Sequence, residues 1–298
     1  MERVGFIGIG AMGRPMAARV AGAGFSLLVL DADPVRAASV GVPVAADGAA
    51  LAAEADLIVT MLPTSAIVEA ALEAGVLAGL RPGSVVVEMS SGAPAATQAL
   101  AARVAEAGGV LIDSPVSGGV KRAETGELSI MVGGDAAAID RAEPLLRAMG
   151  STVTRTGPVG SAHAMKALNN LASAGGFLIG IEALLIGQRF GLDPALMVDV
   201  INASTGMSNS SQKKFKQFVL SRSFDAGFGL DLMVKDLGIA LGVARETGTP
   251  APLSALVREL WAAAQAMLGP GQDHTAAAQM SERLAGTTLG DQVRRSDQ

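Results

Sequence analysis

A chain of 298 residues with 50% hydrophobic but only 3% aromatic side chains has enough apolar mass for two domains, and its cores must be built from small side chains. The formal net charge of −5 supplies no basic field, which argues against nucleic acid as a partner. The absence of cysteine removes disulfides, thiolate metal sites and a cysteine nucleophile. Tyrosine is also absent and only His163 and His274 carry imidazole, so chemistry falls mainly to Lys, Asp, Glu, Ser, Thr and Asn.

The N-terminus enters a strand pattern within Met1–Phe6, with no charged leader or small-residue cleavage site, so no export signal is expected and the cytoplasm is the expected compartment. Short apolar runs follow at Val4–Ile7, Leu27–Leu30, Leu57–Met61, Val85–Glu88, Val110–Asp113, Leu128–Val132 and Val153–Arg155. Helix-compatible segments separate them at 12–23, 34–39, 47–54, 65–73, 94–107 and 136–149. This alternation predicts a parallel, doubly wound α/β sheet. The strands are apolar without alternation, as expected when helices cover both faces.

After Gly157-Pro158-Val159-Gly160 the pattern changes. Residues 161–190 contain no proline and predict one long helix, apolar almost all round from Leu171 to Ile186. Such a helix is expected to be buried on every side, with a partner subunit as one means of burial. Its longest apolar stretch, Leu171–Ile181, is too short for a membrane span because Glu182, Gln188 and Arg189 follow, so no membrane is expected. Further helices are predicted at 193–203, 210–220, 231–248 and 252–268. The tail from Gly286, with Asp291, Arg294, Arg295 and Asp297, is expected to fray. Two domains result: a dinucleotide-binding domain over 1–160 and an all-α domain over 161–298 for substrate binding and oligomerisation.

Gly8-Ile9-Gly10-Ala11-Met12-Gly13 follows the first predicted strand and opens a helix, the context that gives this spacing meaning as a Rossmann fingerprint. Gly8 suits the tight turn, Gly10 lets backbone approach a pyrophosphate, and Gly13 allows close helix–strand packing. Unpaired N–H groups at the helix N-terminus favour the anion. Asp31 ends the second strand at the spacing of a ribose ligand. A 2′-phosphate would face Asp31 and Asp33, so NAD is favoured over NADP, although Arg14 and Arg36 lie close enough in sequence to weaken the preference.

Extended through Arg14-Pro15-Met16, this block resembles the opening signature of the β-hydroxyacid dehydrogenase family, which includes 3-hydroxyisobutyrate dehydrogenase and tartronate semialdehyde reductase. Three more blocks resemble the family in its order. Asp113-Ser114-Pro115-Val116-Ser117-Gly118-Gly119 is similar to its substrate loop. Gly157–Gly160 with Lys166, Asn169 and Asn170 is similar to its catalytic block, and Lys235-Asp236-Leu237 to its late cofactor contact. The resemblance implies Lys166 as catalytic residue, Ser117, Gly118, Gly119 and Asn170 as substrate ligands, and Leu62, Pro63, Ser91 and Lys235 as further cofactor contacts. Ser91 stands where relatives often carry Thr, which keeps the hydroxyl. Ile67 departs from the pattern, since 3-hydroxyisobutyrate dehydrogenases often have Asn there.

The residues support the same chemistry. Lys166 and Asn170 are four apart on a helix and share a face. Lys166 can relay the proton of a substrate hydroxyl or stabilise the alkoxide, while Asn170 holds the substrate in register. Ser117 with the Gly118 and Gly119 amides can form a nest for a carboxylate. The expected reaction is reversible oxidation of a small 3-hydroxy acid to its semialdehyde. Alternatives are a tartronate or succinic semialdehyde-type reductase, an L-serine or sulfonate 3-dehydrogenase, and more remotely an imine reductase or a non-catalytic dinucleotide-binding protein. His163 is assigned a supporting role, His274 a local structural one at a helix start, and Lys121 with Arg122 a solvated pair. No metal-ligand spacing occurs, so no metal is expected. A homodimer or homotetramer formed through the helical domain is expected.

Overall fold

The computed structural model describes residues 2–290 and divides after Lys166 into two compact units. The expectations for Asp291, Arg294, Arg295 and Asp297 lie outside the described residues.

The first unit is built on eight strands: β1 (Arg3–Ile7), β2 (Ser26–Leu30), β3 (Leu57–Thr60), β4 (Val85–Glu88), β5 (Val110–Asp113), β6 (Val116–Ser117), β7 (Ser129–Gly133) and β8 (Thr152–Gly157). They form one sheet in the order β2-β1-β3-β4-β5-β7-β6, with β8 paired to β7. The first five strands of that order are parallel. Every residue of β3 and β4 is buried because helices cover both faces. The two-residue period of a strand sorts the side chains into two cores. Leu57, Val59, Val85 and Val87 join Phe6, Met16 and Val20 in one; Ile58 and Val86 join Leu51, Leu72 and Val104 in the other.

The sheet is not parallel throughout, contrary to the sequence pattern. β7 runs antiparallel to both β5 and β6. Only residues 114–128 separate β5 from β7, and β6 and the short Gly119–Thr125 helix consume most of them. β6 pairs antiparallel with β7 through Val116 and Ser117, so the chain doubles back instead of crossing over to a parallel return. By sequence this segment reads as a loop, and β6 and the helix depart from that.

The Ser161–Phe190 helix begins in the first unit and continues into the second, as one element of thirty residues. In the second unit it is followed by helices Pro194–Asn202, Asn209–Lys213, Leu230–Glu246, Pro252–Leu268 and Ala278–Ala285. Phe177 meets Phe215 and Trp261 at ring-centroid distances of 5.7 and 5.6 Å, and Trp261 Nε1–H donates to the Ala174 carbonyl (3.3 Å). A Cβ on Gly180 would stand 2.5 Å from Phe215 Cζ, which explains a small residue in the middle of this helix.

Two expectations for this unit require correction. The segment 210–220 is not one α-helix: a π-helical turn, Phe215–Leu220, follows Asn209–Lys213. Gly286–Gly290 does not fray, because Leu289 N–H donates to Glu282 Oε1 and Gly290 N–H to Gln188 Oε1, each at 2.9 Å. The single chain leaves part of the long helix uncovered, at Ile179, Ile186 and Phe190. By length and composition this helix is also apolar enough to cross a membrane. Its inward residues Phe177, Leu178, Ile181, Leu184 and Leu185, however, are packed in the core of the second unit.

Candidate active site

In the first unit, the sequence-predicted cofactor residues gather at the carboxyl ends of β1–β4. Open parallel sheets bind ligands along this edge, where the strand order reverses; here that point lies between β1 and β3. Gly8 has φ 98°, a left-handed conformation, and its N–H donates to the Leu30 carbonyl (2.9 Å). Gly13 opens the Gly13–Gly22 helix so close to the turn that an added Cβ would lie 1.8 Å from the Gly8 carbonyl oxygen. Around Gly10, by contrast, nothing stands within 4 Å of such a Cβ. The helix has no side-chain cap at Met12, so its first amides are not taken by a capping side chain. Open space at Gly10, uncapped amides and an adjacent acid together fit a dinucleotide pyrophosphate and ribose.

Asp31 has a structural task as well. Its Oδ2 accepts from Ile9 N–H (2.6 Å) and its Oδ1 from Asp33 N–H (2.8 Å), tying the end of β2 to the glycine turn. A carboxylate offers about four acceptor positions, so two remain for ribose hydroxyls. Leu62 N–H donates to Ser90 Oγ (2.9 Å), linking the segment after β3, with Leu62 and Pro63, to the segment after β4 that carries Ser91.

The strand register adds a feature that the sequence did not reveal. Thr60, Glu88 and Asp113 pair laterally as the last residues of β3, β4 and β5, and all three are buried. His163, from the first turn of the Ser161–Phe190 helix, enters this row. Its Nε2 lies 2.8 Å from Glu88 Oε2 and 3.0 Å from the Ser90 carbonyl, and its Nδ1 lies 2.8 Å from Thr97 Oγ1. Asp113 accepts Gly160 N–H on Oδ1 (2.8 Å) and His163 N–H on Oδ2 (2.9 Å), so a carboxylate from a distant strand caps the helix start. Burial opposes ionisation of Glu88, but the adjoining His163 charge and hydrogen bonds from His163 and Ser90 outweigh it and hold its pKa below the ordinary value. Burial likewise opposes the charge on His163, yet Glu88 and then Asp113 raise its pKa. For Asp113 burial prevails and raises the pKa despite His163 and the two amides. The one sequence signal was a charged residue closing each of two otherwise apolar strands, Val85–Glu88 and Val110–Asp113.

Lys166 follows His163 by three residues and is buried. Ser117 ends β6 opposite Ser129, and Gly118 (φ 137°) turns the chain into the Gly119–Thr125 helix, on which Lys121 and Arg122 are exposed. In the second unit, Asn170 is buried. Its Nδ2 donates to Asp236 Oδ2 (2.6 Å), and its Oδ1 accepts from Asn169 Nδ2 (3.3 Å). Lys235 Nζ lies 3.5 Å from Asp236 Oδ1. The sequence marks Asp236 only as a neighbour of Lys235, yet its buried carboxylate orients the asparagine.

Comparison with known proteins matches this architecture. Residues 3–157 match the model of the NAD-binding domain of 6-phosphogluconate dehydrogenase, and residues 160–281 match that described as NAD-binding of NADP-dependent 3-hydroxyisobutyrate dehydrogenase. The chain is 35% identical to 2-(hydroxymethyl)glutarate dehydrogenase of Eubacterium barkeri, over 96% of this chain and 97% of that protein. The chain belongs to the β-hydroxyacid dehydrogenase family. Within this family it is also 38% identical to human mitochondrial 3-hydroxyisobutyrate dehydrogenase, over 87% of this chain and 80% of the relative. The solved 3-hydroxyisobutyrate dehydrogenase of Mycobacterium tuberculosis with L-serine superposes with a TM-score of 0.89 at 31% identity, covering 94% of this chain and 99% of that one. As a β-hydroxyacid dehydrogenase the protein is an NAD-dependent oxidoreductase with an N-terminal Rossmann unit and a helical C-terminal unit.

Proposed function

We propose that this β-hydroxyacid dehydrogenase oxidises the primary hydroxyl of a small 3-hydroxy acid to the semialdehyde, with Lys166 as its acid–base residue. The observation that carries the reading is the capping of the Ser161–Phe190 helix by Asp113. This cap anchors the helix start at the carboxyl edge of the sheet, with buried Lys166 about one turn further on. Bound NAD supplies the acceptor for the hydride that leaves the hydroxymethyl carbon. The neutral Lys166 amine takes the hydroxyl proton in oxidation, and its ammonium returns it in reduction. The Lys166 charge also stabilises the alkoxide before hydride loss. Ser117, Gly118 and Gly119 hold the substrate carboxylate, and Asn170, with its amide fixed by Asp236, orients the substrate hydroxyl. Asp31 and Asp33 disfavour a 2′-phosphate, which supports NAD over NADP.

The solved M. tuberculosis relative was obtained with L-serine, which favours an amino group at C2 as the second substrate reading. We further infer a homodimer or homotetramer formed through the exposed Ile179, Ile186 and Phe190 face, working in the cytoplasm. The deciding experiment compares initial rates for 3-hydroxyisobutyrate, glycerate and L-serine with NAD and NADP, in wild type and Lys166→Ala. A loss in kcat of about 10²–10⁴-fold is expected for the variant. Unchanged turnover in Lys166→Ala would refute the mechanism, and a strong NADP preference would refute the role given to Asp31.

A further inference from the structure

The chemistry above uses the buried cluster that precedes Lys166 only for the Asp113 cap and gives the Glu88 and His163 side chains no task. Three ionisable side chains meet there from three elements: Glu88 from β4, Asp113 from β5 and His163 from the long helix, none more than 2% exposed. Among the described residues, Glu88 and Asp113 are the charged groups that face the imidazole; Thr97 and the Ser90 carbonyl are its neutral partners.

The hydrogen-bond partners bear on the protonation state of the ring. Thr97 Oγ1–H donates to the Ala93 carbonyl (3.1 Å), which leaves only lone pairs to meet His163 Nδ1 at 2.8 Å. On the other side, Nε2 faces the Glu88 carboxylate and the Ser90 carbonyl, both acceptors. With the Thr97 hydroxyl hydrogen on the Ala93 carbonyl, both ring nitrogens face acceptors, an arrangement that suits an imidazolium and that the proposal below adopts. A buried cation of this kind needs its partners, since removing one leaves a costly unpaired charge.

The same ring is attached to two pieces of the proposed active site. It holds the segment after β4 through the Ser90 carbonyl. It also packs against Gly92, where an added Cβ would lie 3.0 Å from His163 Cε1 and 3.1 Å from Nδ1. Ser91 lies between these two contacts. Through its own backbone, whose N–H donates to Asp113, the residue belongs to the helical turn that leads to Lys166. Buried ion pairs add little to stability compared with apolar packing, so stability alone is a weak account of this cluster.

We propose that His163 is a positioning residue: held as an imidazolium by Glu88 and Thr97, it locks the Ser90–Gly92 loop and the start of the Ser161–Phe190 helix in one arrangement, and so sets where Ser91 and Lys166 stand relative to the reacting atoms. The proposal rests on Lys166 being the acid–base residue. It gives the Glu88–His163 pair a task distinct from proton transfer to substrate, because His163 is held in place by protein acceptors on both sides.

Two measurements test it. The first is nitrogen NMR of ligand-free protein carrying ¹⁵N-labelled histidine. With only two histidines in the chain, assignment needs a single His163→Gln comparison. Two protonated ring nitrogens at His163 near neutral pH are expected; a neutral tautomer there would overturn the assignment and the proposal. The second is kinetics of Thr97→Val, which removes the Nδ1 acceptor while leaving the ring in place. Active sites are counted by stoichiometric NADH binding. We expect kcat per NADH site to fall by about ten- to a hundredfold, the scale of an ångström-level misplacement, with substrate KM and NADH affinity changed by less than about threefold. A purely structural role would lower the number of sites and leave kcat per site unchanged, and that result would overturn the proposal. Lys166→Ala runs alongside. If it retains full turnover, the acid–base reading fails and the positioning role fails with it. If it is inactive while Thr97→Val keeps wild-type kcat per site, only the positioning role fails.

Discussion

Substituting alanine at two glycines of the same turn should separate folding from cofactor binding. At Gly13 the new methyl carbon would lie 1.8 Å from the Gly8 carbonyl oxygen, 3.0 Å from its carbon and 3.3 Å from Phe6 Cε1. The first of these contacts is backbone and cannot rotate away, so the turn must open or the helix must shift. Overpacking of this kind costs about 1–3 kcal/mol. At roughly 2–4 °C per kcal/mol, Gly13→Ala should lower Tm by about 2–12 °C. At Gly10 no atom stands within 4 Å of the added carbon, so ligand-free stability should change by no more than about 0.5 kcal/mol. The methyl group would instead occupy the surface over which the pyrophosphate must pass, and a loss of about tenfold in NAD affinity corresponds to about 1.4 kcal/mol. Thermal unfolding with and without NAD reads both effects. With NAD at about one hundred times the wild-type Kd, the linkage stabilisation is about 2.7 kcal/mol for wild type. It should fall to about 1.4 kcal/mol for Gly10→Ala at the same concentration, roughly halving the NAD-induced rise in Tm. A full NAD shift in Gly10→Ala, or wild-type stability in Gly13→Ala, would refute this reading of the turn.

Three further outcomes follow from the geometry. Asp236→Ala removes the charged acceptor of the Asn170 amide, and kcat/KM should drop by about ten- to a hundredfold in steady-state assays, with the fold retained by circular dichroism. Asp273 accepts from the amides of Gly227, Phe228 and Thr275 and from the Thr275 hydroxyl. Burial raises its pKa, but contacts with His274 and Thr275 outweigh that and hold the pKa far below the usual carboxyl range. Its contribution is therefore complete above the unfolded-state pKa of about 3.9 and is lost as pH falls toward the folded value. Urea unfolding should show stability declining below about pH 4 in wild type, with a shallower slope in Asp273→Asn, which starts about 1–3 kcal/mol lower. Finally, Ile186→Lys places a charge in the exposed apolar stripe of the long helix, and sedimentation velocity should show a smaller assembly than wild type. An unchanged sedimentation coefficient would exclude that face as the subunit contact.

Features that are local in the chain could be read from the sequence, and features created by register could not. The five parallel strands were legible because strands covered on both faces read as unbroken apolar runs, as Leu57–Thr60 and Val85–Glu88 show. Strand β6 was not, since Val116–Ser117 is too short to carry a period. The break near Lys214 and the π turn after it leave no mark in composition. Gly8, Gly10, Gly13 and Asp31 lie within one βαβ unit, so spacing alone suggested their grouping. Glu88, Asp113 and His163 are far apart in sequence, and they come together only because β4 and β5 end level and the long helix begins at Asp113. Composition likewise says that the Leu171–Ile186 stretch avoids water, but not which part of it the chain itself leaves uncovered.

The double engagement of Asp31 limits how cofactor choice can be redesigned or drift. One of its oxygens anchors the glycine turn through Ile9, and the other organises the start of the next helix through Asp33. Exchanging the acid for a small neutral residue, the direct way to admit a 2′-phosphate, would also remove the anchor that shapes the pyrophosphate turn. Preference for NAD and integrity of the turn are therefore inherited as a single trait. A lineage moving toward NADP from this chain has an easier path by recruiting a cation from its flanks, such as Arg14 or Arg36, while leaving the acid in place.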